Sequence, residues 1–131
     1  MAANKEAFLY TKEHEWIEVK GETVVRIGIT DYAVDQLGDI VFVDLPETDS
    51  EFIAEEEFAT VESVKSTSEI YAPVSGSIQS VNSRLEDEPE VLNESPFEDG
   101  WLVEIESPEP FSQEGLLSYE EYQNYLSELE D

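Results

Sequence analysis

Short segments of β-branched and aromatic residues, each ended by a turn signal, recur along the sequence and restrict the fold more than any other feature. The strongest strand prediction is Asp39–Leu45, which Pro46 ends because proline cannot donate to a strand ladder. Glu15–Val19 alternates polar and apolar residues, and a turn at residues 20–22 joins it to Thr23–Ile29 as a hairpin. Further strands are predicted at residues 8–10, 58–64, 67–72, 77–81 and 101–105. The sequence therefore predicts a mostly β fold.

Two helices are predicted from their capping signals. Thr30 can cap a short helix over Asp31–Leu37, and Gly38 suits its end. Ser118 and Glu121 have the spacing of a capping box, which begins a C-terminal amphipathic helix. The apolar face of that helix consists of Tyr119, Tyr122, Leu126 and Leu129. The connecting segments are an acidic stretch at 47–57, turns at 73–76 and 86–90, and a proline-containing linker at 107–111.

The length of 131 residues and a hydrophobic content of 40% fit one compact domain. We expect a single domain over 1–131, with a core at about 8–106 and a C-terminal helical extension at about 112–130. The chain contains no cysteine, which excludes disulfides and thiolate catalysis. No segment has the length of a membrane span, and the first six residues lack the apolar centre of a signal peptide. We therefore expect a cytoplasmic monomer.

The formal net charge of -27 limits the classes of partner. Phosphates would be repelled, so nucleic acid and anionic membrane surfaces are not expected as partners. Partners with basic docking surfaces are favoured, and such docking should weaken with salt. The same charge is also compatible with a role in solubility or with adaptation to a saline interior, and the sequence does not separate these interpretations.

Lys65 is the one basic residue between Arg26 and Arg84. The stretch contains twelve carboxylates: Asp31, Asp35, Asp39, Asp44, Glu47, Asp49, Glu51, Glu55, Glu56, Glu57, Glu62 and Glu69. Lys65 lies between two predicted strands whose apolar or small residues can pack inward while the turn stays in water. A single lysine at a hairpin tip is what an enzyme needs to acylate one amine and no other. We therefore interpret the chain as a carrier with Lys65 as the attachment point. The alternative is an ordinary solvated lysine in a turn, which is the more common case for a lysine taken at random.

Catalytic and metal-binding patterns are weak in this sequence. His14 is the single histidine, it lies near Trp16, and no nucleophile motif accompanies it, so a structural role is expected. With 33 acidic residues, close carboxylate pairs arise by chance and do not indicate acid–base catalysis. No glycine-rich phosphate loop is present, and no metal site is expected.

Several blocks of the sequence match one family in order. The blocks are Tyr10–Trp16, Ile27–Thr30, Leu37–Pro46, Val61–Lys65, Ala72–Gly76 and Asn93–Trp101. On these blocks the chain resembles the H proteins of the glycine cleavage system, which are lipoyl carriers. The resemblance spans about residues 8 to 126. The Glu-Ser-Val-Lys block, together with the downstream Asn-x-Ser-Pro and Gly-Trp blocks, makes it specific.

The resemblance implies a barrel-sandwich hybrid of the lipoyl/biotinyl type, with lipoic acid joined to Lys65 by an amide bond. It also implies a role in glycine catabolism and one-carbon metabolism. The arm would take the aminomethyl group from glycine decarboxylase, the P protein, and present it to the tetrahydrofolate-dependent aminomethyltransferase, the T protein. Dihydrolipoyl dehydrogenase, the L protein, would reoxidise the arm, and a lipoate-attaching enzyme would install it. The carrier itself would catalyse nothing.

The resemblance further implies four contacts for the loaded arm, at Glu15, Glu13, Gln36 and Glu69. Glu15 matches the family pattern, whereas the other three positions hold a hydroxyl residue, a histidine and an aspartate in better-known members. We expect Glu15 to hold the cationic aminomethyl group through a charge-assisted hydrogen bond at a partly exposed position. Glu13 and Glu69 would add to the negative field.

Three alternatives remain at this point. Biotin carriers place methionine on both sides of the modified lysine, whereas Val64 and Ser66 stand here, which argues against biotin. A lipoyl-relay homologue would bear lipoate on Lys65 but pass it to other enzymes, and the sequence alone does not exclude it. Gene context with the decarboxylase and the transferase would favour glycine cleavage, whereas growth defects in other lipoate-dependent enzymes would favour relay. The third alternative is an unmodified acidic adaptor.

Overall fold

The computed structural model describes residues 7–108 and 116–130. Nine strands and four helices lie in this part of the chain. The strands are β1 Leu9–Tyr10, β2 Glu15–Val19, β3 Val24–Ile29, β4 Ile40–Asp44, β5 Glu51–Phe52, β6 Glu57–Ser63, β7 Thr67–Tyr71, β8 Gly76–Val81 and β9 Val103–Glu106. The helices are α1 Asp31–Leu37, α2 Arg84–Asp87, α3 Val91–Glu94 and α4 Tyr119–Glu130. The mostly β prediction is thus confirmed.

The strands form two antiparallel sheets. The larger sheet has six strands in the order β1-β2-β3-β9-β8-β5, and the smaller has three in the order β4-β6-β7. Inward side chains from both sheets belong to one hydrophobic core that includes Ile27, Val43, Val61, Ile78 and Ile105. Because both sheets contribute buried side chains to this one cluster, they enclose the core between them.

A second, aromatic cluster attaches α4 to the larger sheet. It consists of Phe8, Tyr10, Trp16 and Tyr122. The Tyr10 and Tyr122 rings stack with their centroids 4.7 Å apart, and the rings of Phe8 and Trp16 stack at 4.8 Å. Three residues of the predicted apolar face, Tyr119, Tyr122 and Leu126, therefore belong to the contact with the sheet, whereas the fourth, Leu129, is exposed.

The capping signals lie where the sequence predicts them. Thr30 Oγ1 accepts a hydrogen bond from Ala33 N, and α1 ends at Leu37, with Gly38 at a φ of 86° as its C-cap. Ser118 and Glu121 form the reciprocal bonds of a capping box: Ser118 N donates to Glu121 Oε1 over 2.8 Å, and Glu121 N donates to Ser118 Oγ over 3.2 Å. Both helices therefore begin at their predicted residues.

Some elements differ from the expectation. The predicted acidic connection at 47–57 contains the short strand β5 and the first residue of β6. The first two residues of the predicted turn at 86–90 belong to α2, and the other three connect α2 to α3. The final predicted strand begins at Val103 instead of Trp101. Residues 109–111 of the predicted linker and the beginning of the predicted extension, 112–115, lie outside the described residues. No helix in the described ranges is long and apolar enough to cross a membrane.

Candidate functional site

The candidate site is the turn between β6 and β7. These strands pair antiparallel, and Glu62 opposite Thr67 is their last pair before the turn. Val61 and Ile70 point into the core, whereas Val64 and Lys65 are exposed at the tip. The inward packing of strands β6 and β7 fixes the hairpin and leaves the lysine in water, as the sequence predicts.

Ser63 stabilises the turn from inside. Its Oγ accepts hydrogen bonds from Lys65 N over 3.3 Å and from Ser66 N over 3.1 Å, and it donates to Ser66 O over 3.1 Å. Ser63 N also donates to Ser66 O over 2.8 Å. Neither Val64 nor Lys65 has a positive φ, so the turn is not one of the two-residue hairpin types that need left-handed residues. The serine hydroxyl supplies the local bonds that hold this turn.

A second network holds the root of the turn. Val64 N donates to Asp39 O over 3.0 Å. The segment around Asp39 is in turn held by Asn93, whose Oδ1 accepts from Ile40 N and whose Nδ2 donates to Gly38 O, both over 2.9 Å. Sequence reasoning missed this role of Asn93, and the signal that could have found it is the amide residue that opens the Asn-x-Ser-Pro block. The backbone around Lys65 is therefore held both by Ser63 within the turn and by Asp39 O from the segment before β4.

The Lys65 side chain fits acylation. A Cβ built on Gly38 would lie 3.8 Å from Lys65 Cε, so the methylene stem passes beside the glycine backbone. Within residues 7–108 and 116–130, no carboxylate forms an ion pair with Lys65 Nζ. The amine is thus accessible, and its acylation would not require an ion pair to be broken.

The sequence predicts a partly exposed position for Glu15, and this prediction is wrong. Its side chain is 2% exposed. Oε2 accepts from Tyr71 N over 3.0 Å, and Oε1 accepts from Thr11 Oγ1 over 3.2 Å. Burial raises the pKa of the Glu15 carboxyl to about 8, although both hydrogen bonds oppose that shift. The carboxyl lies beneath the end of β7, so it supports the hairpin from below and does not face solvent.

Glu13 and Glu69 are exposed, and both act on Tyr71. The Tyr71 hydroxyl donates to Glu69 Oε2 over 2.9 Å, and this bond is the main reason why the pKa of Tyr71 is raised. The charge of Glu13 acts in the same direction. Glu15 and Glu69 therefore both bond to Tyr71, and the charge of Glu13 acts on the same residue. Sequence reasoning missed this arrangement because nothing in a single strand shows what packs across it.

Gln36, the fourth predicted arm contact, is exposed on α1. Among the described residues it makes no side-chain hydrogen bond with Glu13, Glu15, Glu69 or Tyr71. The structure thus brings three of the four predicted contacts together.

His14 lies in a packing network between the sheet and α4. The Tyr122 hydroxyl is 2.8 Å from His14 Nδ1 and 2.8 Å from Thr30 Oγ1. Burial lowers the pKa of His14, and burial raises that of Tyr122 to about 12. Among the described residues, no group of three or more His, Asp or Glu side chains could hold a metal ion. His14 therefore has the structural surroundings that the sequence suggests.

Comparisons with known proteins agree with this geometry. The family model for the glycine cleavage H-protein matches residues 8–129. A glycine cleavage system H protein of Staphylococcus carnosus is 50% identical over 123 residues, 94% of this chain and 97% of the relative. One from Halalkalibacterium halodurans is 52% identical over 119 residues, 91% of this chain and 92% of the relative.

A solved structure is also similar. The crystal structure of a glycine cleavage system H protein from Mycobacterium marinum superimposes with a TM-score of 0.84 at 36% identity, over 93% of this chain and 98% of that one. The similarity covers most of both chains, and the lipoyl-type sandwich is thereby confirmed. With the family model and the relatives matching most of the sequence, the chain belongs to the glycine cleavage H-protein family.

Proposed function

We propose that this chain carries lipoic acid as an amide on Lys65 and moves the aminomethyl group of glycine from glycine decarboxylase to the aminomethyltransferase. The observation that carries the proposal is the exposed lysine on a turn held by Ser63 and by Asp39 O, in a chain of this family. The further partners are dihydrolipoyl dehydrogenase and a lipoate-attaching enzyme. The relatives are named for glycine cleavage, which favours this role over lipoate relay.

Lys65 supplies the nucleophile for attachment. The lone pair of Nζ attacks the carbonyl carbon of an activated lipoyl group, and the C–N bond forms. The C–O bond to the activating group breaks with its electron pair, and the nitrogen releases a proton to solvent. When bound, lipoate supplies a disulfide that can be reduced and can carry a one-carbon unit. The chain's own part is to present the amine on a fixed and accessible turn.

Residues around Tyr71 are proposed to serve the loaded arm. Glu69 and Glu13 are exposed carboxylates, and they provide a negative field for a cationic amine. Glu15 acts from behind, because its carboxyl holds Tyr71 N at the end of β7. In this proposal Glu15 is a positioning residue, and the direct contacts belong to the exposed side chains.

The first prediction tests the attachment point. Lys65→Arg keeps the positive charge and removes the acylable amine. After incubation with the lipoate-attaching enzyme and lipoate, intact mass should show no lipoyl addition, and glycine-dependent turnover with the partner enzymes should vanish. Lys20→Arg is the matched control, since Lys20 is another exposed lysine close to a turn. A normal lipoyl load on the Lys65 variant would show that the attachment point lies elsewhere.

A further inference from the structure

Exposed apolar side chains cluster around Lys65. Six large hydrophobic side chains are exposed among the described residues: Val19, Val41, Phe42, Ile53, Val64 and Leu129. Three of the six lie next to the lysine turn, namely Val41 at 51% exposure, Phe42 at 48% and Val64 at 69%. We call these three residues the apolar collar. Single exposed apolar residues need no explanation, but a group of three around a candidate modification site does.

A β-bulge produces the collar. Ile40 pairs with Ser63 and Phe42 pairs with Glu62, so Val41 is an extra residue in β4. A regular strand would turn Val41 and Phe42 to opposite faces and bury one of them. Here both are exposed, whereas Ile40 and Val43 on either side are buried. Bulges of this kind redirect side chains near functional sites.

The collar is continuous with the lysine turn and edged by acids. Phe42 lies opposite Glu62, which belongs to the last pair of β6 and β7 before the turn. Val64 is bonded through its N–H to Asp39 O, one residue before β4 begins. Asp39 and Glu62 thus flank the collar, and Lys65 is the one basic residue between Arg26 and Arg84. The surface is apolar at its centre and negative at its rim.

We propose that the collar is the docking surface for the enzyme that attaches lipoate to Lys65, and that this enzyme offers an apolar recess edged by lysine or arginine. The inference rests on the proposed function, because it takes Lys65 as the modified residue. Apolar contact at the centre with charged contacts at the edge is the usual anatomy of a specific interface. A collar beside the target amine would also explain why one lysine among several is chosen.

The reach of the lysine decides which partner covers the collar. At about 1.2 Å of extended chain per bond, Nζ lies about 6 Å from Cα, so an enzyme that acylates the bare amine must surround the turn. Once lipoate is attached, the reacting sulfur lies about 14 Å from Cα by the same count. Enzymes that act on the sulfur can reach it without covering Val41 and Val64. The attaching enzyme is therefore the partner whose footprint must include the collar.

The test replaces methyl groups by hydroxyls of the same shape. Val41→Thr combined with Val64→Thr keeps the β-branched form but makes burial in an apolar recess unfavourable. We expect kcat/KM of the attaching enzyme, supplied with lipoate and ATP and followed by intact mass, to fall about tenfold. Val19→Thr is the control, since Val19 is an exposed strand valine outside the collar. Circular dichroism and urea unfolding check that all three proteins are folded.

The outcomes separate the collar from the proposed function. An unchanged kcat/KM for the double variant, with Lys65 still modified, would overturn the collar and leave the carrier role intact. A failure of the unaltered chain to gain any lipoyl group would overturn the carrier role. An equal fall of kcat/KM in Val19→Thr would also overturn the proposal for the collar, since the effect would then not be specific to that surface. With lipoate already attached, glycine-dependent turnover of the double variant should change less than twofold. A tenfold loss there would assign the surface to a glycine cleavage enzyme instead.

Discussion

Lys65 of the lysine hairpin and Glu15 of β2, which lies beneath the hairpin, have opposite environments. Lys65 is exposed at the turn, and its amine is open to an enzyme. Glu15 is 2% exposed below the other end of β7, where it accepts a hydrogen bond from Tyr71 N. Accessibility is what a modified lysine requires, whereas a buried carboxyl holds backbone in place at the cost of a perturbed pKa. Lys65 therefore presents an accessible amine, whereas Glu15 supports the backbone at the end of β7.

The burial of Glu15 makes stability depend on pH. The pKa of its carboxyl is raised from 4.5 to about 8 in the folded chain, so the folded state binds the proton more tightly than the unfolded state. Its contribution is therefore present below pH 4.5 and lost as pH rises towards 8. The loss is about 1.4 kcal/mol per pH unit within that window, a few kcal/mol in all. Glu15→Gln imitates the protonated acid and should remove this dependence.

Urea unfolding at pH 5, 6.5 and 8 measures the effect. The stability of the unaltered chain, relative to Glu15→Gln, should decrease across the series. Glu69→Gln serves as the control, because that carboxylate is exposed and its charge stays in water. Parallel stability curves for the unaltered chain and Glu15→Gln would contradict the prediction and would mean that the Glu15 carboxyl is ionised throughout.

At the scale of elements, the hydroxyl of one tyrosine joins three parts of the chain. Tyr122 of α4 reaches Thr30, which caps α1, and His14, which lies between β1 and β2. The same tyrosine ring stacks on Tyr10 of β1. The C-terminal helix is thus connected to the segment that leads, through Gly38 and Asp39, to the root of the lysine turn. Loss of that hydroxyl should destabilise the contacts of both α1 and α4.

Tyr122→Phe leaves the ring in place and removes the shared hydroxyl. Thr30 and His14 would each lose a partner, and we expect a destabilisation of about 1–3 kcal/mol in urea unfolding. Tyr119→Phe is the matched control, since the Tyr119 hydroxyl makes no hydrogen bond with any described residue. Equal stabilities of the two variants would show that the network adds nothing to the packing of the rings.

Elements with strong local signals could be predicted from the sequence. The bounds of β2 and α1 agree with the prediction, since alternation marks the strand while Thr30 and Gly38 mark the ends of the helix. The strand β5 and the helices α2 and α3 were missed, because two to four residues are too few to show a period. Such short elements form because their neighbours hold them.

The candidate site could be predicted only in part for a similar reason. The turn position of Lys65 follows from the two strands around it. The burial of Glu15, the meeting of carboxylates at Tyr71 and the exposure of Phe42 depend on pairing between distant segments. A bulge shifts every later side chain to the other face of its strand, and alternation in one strand does not reveal where the bulge occurs.

For the whole molecule, we propose that charge governs encounters with partners. The net charge of -27 comes from 33 acidic and six basic residues, and several of the acids surround the lysine turn. At 0.1 M salt the screening length is about 10 Å, so attraction to a basic partner surface is strong in dilute salt and weak in concentrated salt. We therefore expect the KM of at least one partner enzyme for the lipoylated chain to rise several-fold between about 0.05 and 0.5 M salt.

Steady-state rates of dihydrolipoyl dehydrogenase provide a direct comparison. Free dihydrolipoamide is uncharged, so its KM with the same enzyme should stay nearly constant over that range and serves as the control. A KM for the carrier that is equally insensitive to salt, for each of the partner enzymes, would mean that the acidic surface acts through solvation alone.

The fixed turn also has a consequence for local concentration. Because Ser63 and Asp39 hold the backbone on either side of Lys65, an attached arm pivots from a point and not from a moving loop. An arm of about 14 Å confines its tip to a half-sphere of about 6,000 Å³, which corresponds to roughly 0.3 M. Once a partner has docked with its active site in that volume, the tip meets the site at a concentration far above that of the protein. Delivery by such an arm would then be limited by docking and not by diffusion of the cargo.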